Sequence, residues 1–180
     1  MKMLPLAALL SLLPVQVVAG PAWNFSEAIA VTDAPEVGVF HHLDSAGRKN
    51  IAVSGERVAI TWEDNSSGKP RIYLASKKTD TPMFTNRLII SGDGDAYEPA
   101  ITGLGDGRFL VVWEEDNRIW ARSVANSLPG AAIQLSSRPA SQASTAGRYG
   151  QAYAVWREQE KQHPAIRISR LVVDQKGTLN

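Results

Sequence analysis

Apolar and polar positions alternate along Val58-Ala59-Ile60-Thr61-Trp62-Glu63-Asp64-Asn65. The same writing returns at Phe109-Leu110-Val111-Val112-Trp113-Glu114-Glu115-Asp116 and at Ala152-Tyr153-Ala154-Val155-Trp156-Arg157-Glu158. In an extended chain Val58, Ile60 and Trp62 fall on one face and Ala59, Thr61 and Glu63 on the other. Most of the strand is apolar or small on both faces, which predicts a sheet covered on both sides. Strands flank each copy. The first unit opens at Asn50-Ile51-Ala52-Val53, turns at Ser54-Gly55 and runs out along the Trp62 strand. It turns again in the polar cluster 64–70 and returns as Arg71-Ile72-Tyr73-Leu74-Ala75-Ser76. Residues 77–83 lead to a fourth strand over 84–91, which Gly92-Asp93-Gly94-Asp95 ends.

The second unit keeps this order, with a turn at Gly105-Asp106-Gly107, a tight loop at Asp116-Asn117 and Arg118-Ile119 opening the third strand, as Arg71-Ile72 opens it in the first. The third unit has its turn near Tyr149-Gly150, a charged loop over 159–163 and a returning strand over 166–171, with no fourth strand. The tryptophans lie 51 and 43 residues apart, the spacing of tandem four-stranded propeller blades. The expected fold is all-β: a partial β-propeller of three four-stranded antiparallel blades, half of a six-bladed ring. The expected blades are residues 50–92, 99–137 and an incomplete 144–180. An outer strand over 25–32 matches the fourth strands at 84–91 and 131–136. The Ser-, Ala- and Pro-rich stretch 136–144 occupies the connection between blades. Three blades do not close a ring, since propellers use about four to eight. Two arrangements remain: the first half of a longer protein, which is the preferred expectation, or a half-ring that pairs with a second copy. Either leaves apolar sheet faces for self-association.

Composition changes the picture little: 44% hydrophobic and 21% charged is ordinary for a globular chain. A net charge of +1 with interspersed signs argues against nucleic acid as a partner. The N-terminus is more informative. Met1-Lys2, an apolar run over 3–18 and the small residues Ala19-Gly20-Pro21-Ala22 make a secretory signal over 1–22, cleaved after Ala19 or Ala22. Pro5, Pro14 and Gln16 interrupt the run, which disfavours a membrane anchor. The expected location is secreted or periplasmic, with no membrane span after signal removal. No cysteine is present to form a disulfide.

The Ala-Val-Ser-Gly, Ile-Thr-Trp-Glu-Asp and Arg-Ile-Tyr-Leu-Ala-Ser segments of residues 52–76, followed by Tyr97-Glu98-Pro99-Ala100-Ile101, resemble the secreted sialidase-like propellers that carry bacterial neuraminidase repeats. The resemblance spans residues 25–176. That family's turn motif, Ser-x-Asp-x-Gly-x-Thr-Trp, is degenerate here over residues 76–84, where Asp80 is displaced and the glycine is lost. The resemblance implies a carboxylate-binding arginine triad, a Tyr and Glu nucleophile pair and an Asp acid/base. Arg48 stands where the first arginine of the triad belongs, without the Ile-Pro that normally follows it. A guanidinium there would clamp a carboxylate in bidentate fashion. Asp64, at a strand end, is the candidate acid/base, although turn chemistry alone also favours Asp there. Tyr97 and Glu98 are adjacent and point apart in an extended chain, so they do not form a relay.

Asp93-Gly94-Asp95 with Glu98 has too few oxygen ligands for a dedicated calcium site. His41-His42 and His163 lack metal-ligand spacing. No cofactor or metal site is expected. Two functions follow from the resemblance. The first is a non-catalytic module that binds a carbohydrate or a protein; the alternative is the N-terminal half of an exo-α-sialidase.

Overall fold

A computed structural model of the chain describes residues 28, 31, 37–42, 49–85, 87–161, 163–174 and 176–179. The expected signal over 1–22 and most of the expected outer strand at 25–32 lie outside these residues. The described residues form three antiparallel sheets and no helix. The first sheet holds β1 (His41–His42), β2 (Ile51–Ser54), β3 (Arg57–Asp64), β4 (Arg71–Lys78) and β5 (Leu88–Ile89). The second holds β6 (Ala96–Gly105), β7 (Arg108–Glu115), β8 (Arg118–Ala125) and β9 (Leu128–Gln134). In the third, β10 (Ala140–Arg148), β11 (Gln151–Glu158) and β12 (Ala165–Val172) pair in order.

Register shows that the three sheets are one unit written three times. Trp62 pairs with Tyr73, Trp113 with Trp120 and Trp156 with Arg167. β1 and β2 are together the first strand of their sheet. His41 faces Asp64 as Ala96 faces Glu115 and Ala140 faces Glu158, while Ile51 faces Ile60 as Ile101 faces Val111. In the second and third sheets this strand is continuous but bulged, between Tyr97 and Ala100 and between Ser141 and Ser144. The bulge explains why these strands begin before residues 99 and 144, where the sequence pattern starts. One extra residue breaks the two-residue period, yet the chain upstream of it still pairs. The stretch 136–144 is therefore partly strand. The tight loops have a local cause as well: Asp116 and Asn117, at φ 50° and 57°, are both left-handed, as a two-residue hairpin turn requires.

The second sheet is packed on both faces. Ile101, Phe109, Val111 and Trp113 meet Ala59, Ile72, Leu74 and Ile90 of the first sheet. Leu104, Leu110, Val112 and Ile119 meet Ala143, Ala152, Ala154 and Trp156 of the third. Trp113 thus lies between adjacent sheets, as its strand pattern predicts. Trp62 is buried differently, in a cluster with Tyr73, Ala75, Ile60, Phe84 and Val31.

The first strands lie side by side, β2 against β6 and β6 against β10. Their approach is close enough for the Ile101 N–H to donate to the Lys49 carbonyl at 2.8 Å and the Gly150 N–H to the Leu104 carbonyl at 2.7 Å. Gly103 permits this spacing, since a Cβ there would meet the Val53 carbonyl, its carbon only 2.9 Å away. Arg108, which pairs with Gly105, fastens the second sheet to the third at this same end. Its buried guanidinium donates to the carbonyls of Val173 and Asp174 at 3.0 and 2.8 Å.

Two outcomes follow. Trp113→Ala should lower stability by about 3–5 kcal/mol through lost burial and a residual cavity; an unchanged denaturant midpoint would show the register to be wrong. Asp174 accepts the N–H groups of Thr178 and Lys176, each at 2.8 Å. The Thr178 bond, chiefly, holds its carboxyl below the ordinary carboxylate range. The turn at 174–178 should therefore keep this support above the ordinary carboxylate pKa and lose it as pH falls through the depressed value. The Thr178 amide shift, followed by NMR against pH, should titrate with that lowered midpoint.

Candidate functional site

Each long central strand ends in the same pair. The Trp62 indole N–H donates to Asp64 Oδ2 at 2.8 Å, Trp113 to Glu115 Oε2 at 2.7 Å and Trp156 to Glu158 Oε2 at 3.3 Å. All three carboxylates are buried. Residues i and i+2 of a strand share a face, so the spacing Trp-x-Asp/Glu puts the carboxylate beside the indole ring. Each carboxylate also holds a neighbouring backbone or cation. Asp64 accepts the Ser66 N–H at 2.9 Å and the Ser66 hydroxyl at 2.5 Å, and Arg87 stands 3.8 Å away. Glu115 accepts the Gly92 and Gly94 N–H groups, both at 2.9 Å. Glu158 lies 3.6 Å from the Arg167 Nε.

The residue between Trp and the carboxylate points to the other face and reaches the next sheet. Glu63 accepts the Glu98 N–H at 2.9 Å and Glu114 accepts the Gln142 N–H at 2.6 Å. Both donors sit in the bulges with left-handed backbone, φ 55° at Glu98 and 60° at Gln142. A bulge leaves an N–H out of its own ladder, and the preceding sheet supplies the acceptor. The third sheet has Arg157 at this position.

Of the two candidate catalytic residues, Asp64 is placed at this strand end, fully buried, and Arg48 lies outside the described residues. Tyr97 and Glu98 differ from the extended geometry expected of them, because Glu98 is left-handed within the bulge. Tyr97 is 40% exposed. Its phenol is pushed above the usual tyrosine range by partial burial and by the charges of Asp95 and Glu63. Asp93 binds Arg71 at 2.8 Å. Among the described residues no group of three or more His, Cys, Asp or Glu could hold a metal ion. Nor is any helix among them long and apolar enough to cross a membrane.

The strand-end acids were readable as a repeated Trp-x-Asp/Glu, but each taken singly fits a hairpin turn. Their second partners, the Gly92, Gly94, Glu98 and Gln142 N–H groups, come from distant chain and leave no local signal. No family model and no curated protein matches the chain.

Glu115→Ala removes the acceptor for three N–H donors and the charge that offsets burial of Arg122. It should cost roughly 3 kcal/mol, and Glu115→Gln, which keeps one acceptor oxygen, about half of that. Equal urea midpoints for Glu115→Ala and the native chain would deny the carboxylate this role.

Proposed function

We propose that the chain is three blades of a sialidase-like six-bladed propeller, exported to the periplasm or beyond the cell, and that it binds a carbohydrate or a protein without hydrolysing it. Three sheets with one register and with their first strands side by side support the ring reading. The observation that carries the binding reading is the use made of Asp64. An acid/base must exchange protons with substrate. Asp64 instead lies in the interior between an indole N–H and a turn amide, in the position that Glu115 and Glu158 fill in the other sheets. A part repeated in every unit belongs to the architecture.

At the same end of the sheets Tyr97 offers an exposed ring, with the carboxylates of Asp95 and Glu63 acting on its phenol. An aromatic face next to acceptor groups fits a ligand with an apolar face and several hydroxyls, as a sugar has. Tyr97→Ala should weaken glycan binding about tenfold, roughly 1.4 kcal/mol, and leave the fold intact, as read on a glycan array and by circular dichroism. Cleavage of a fluorogenic sialoside by the native chain, with turnover lost in Arg48→Ala, would replace this reading with the hydrolase.

A further inference from the structure

The three sheets repeat one architecture, so side chains that only one sheet carries stand apart from it. Trp113 pairs with Trp120, and two residues further along β8 comes Arg122. The corresponding residues are Tyr73 and Ala75 in the first sheet and Arg167 and Ser169 in the third. Positions i and i+2 of a strand share a face, so the Trp120 indole and the Arg122 guanidinium project from the same side of β8. That side is turned to the first sheet, since Trp120 and Val124 belong to the apolar cluster that holds Ile72, Leu74, Leu88 and Ile90.

Trp120 and Arg122 are each partly exposed, yet Trp120 Nε1 and Arg122 Nε are shielded from solvent and have no hydrogen-bond partner. Among the described residues only three buried side-chain N or O atoms are left unpaired, and two of them are these neighbours. The third, Arg71 Nε, belongs to a guanidinium that Asp93 already holds. A buried donor is normally paired, and leaving one unpaired costs about 1–3 kcal/mol. Glu115 favours the charged form of Arg122 but is not its contact partner. Its oxygens accept the N–H groups of Trp113, Gly92 and Gly94.

Both groups only donate. An indole N–H beside the Nε edge of a guanidinium matches a carboxylate, which takes that edge in bidentate fashion. The indole half of this chemistry already operates in the protein, where Trp113 donates to Glu115. We propose that Trp120 and Arg122 form a binding site for a small organic carboxylate, held between the second sheet and the outer strands of the first. Shielding of both donor atoms favours a small anion over a polymer. The first sheet also yields most easily here: β5 pairs with β4 at two positions, whereas β9 pairs with β8 at five. The site lies two strands away from Tyr97 in the sheet order and does not depend on the ring or glycan reading.

The chain has five tryptophans, so indole N–H signals in a nitrogen–proton NMR spectrum test the site directly, with Trp120→Phe and Trp113→Phe assigning the two signals of interest. Titration of the full chain with sodium acetate, against sodium chloride at equal ionic strength, should move the Trp120 signal to a saturating end point and leave the Trp113 signal in place. Arg122→Gln should abolish the saturation. Arg122→Lys, which keeps the charge without the Nε edge, should weaken it about tenfold. An unmoved Trp113 signal reports that each variant is folded, and the milder lysine variant decides the matter where the glutamine variant is not. A Trp120 signal that acetate does not saturate, or a saturation that survives in Arg122→Gln, would overturn the site. Tighter saturation by sulfate than by acetate would overturn the carboxylate as its ligand.

Discussion

The pairing of an indole N–H with a carboxylate two residues further along the strand organises the ends of all three sheets. Burying a charge costs several kcal/mol unless donors surround it, and here the donors come from the segments that must be fixed. Asp64 holds the hairpin to β4, and Glu115 holds the connection between the first and second sheets. The alternating residue, Glu63 or Glu114, fixes the neighbouring sheet by its bulge. Adjacent positions on one strand thus set turn geometry within a sheet and alignment between sheets.

The repeat of Trp62, Trp113 and Trp156 and the order of strands around it were legible in the sequence, because a strand buried on both faces needs apolar residues at nearly every position. β7 fits this most completely. The starts of the first strands were not legible. A bulge shifts the side-chain period by one, so Ala96-Tyr97 and Ala140-Ser141 look out of phase with the strands they begin. The role of Asp64 was half legible. Its place at a strand end was evident, whereas its burial depends on Trp62 lying on the same face with cover from Val31 and Phe84.

Charge placement follows the same logic. Glu115 lies close enough to Arg122 to favour its charged form while burial opposes it. Arg108, at the opposite end, is used for its planar set of donors: two backbone carbonyls of the segment after β12 share one terminal nitrogen. The junction between the second and third sheets is tied at both ends by polar side chains bound to backbone, Glu114 to the Gln142 N–H at one end and Arg108 to the Val173 and Asp174 carbonyls at the other, with the apolar layer between them.

The division of the first strand into β1 and β2 has a consequence for how such a chain can vary. Residues 43–50 stand where the other sheets have a short bulge, yet His41-His42 and Ile51 keep the pairing partners that an unbroken strand would give them. The unit therefore tolerates inserted sequence at that point without a change of register on either side. The residues flanking it face Glu63 and Ile60, close to the strand end that carries Asp64. Divergence by insertion there would give each unit a different loop over a common scaffold, so that new recognition could arise while the packing between sheets stayed constant.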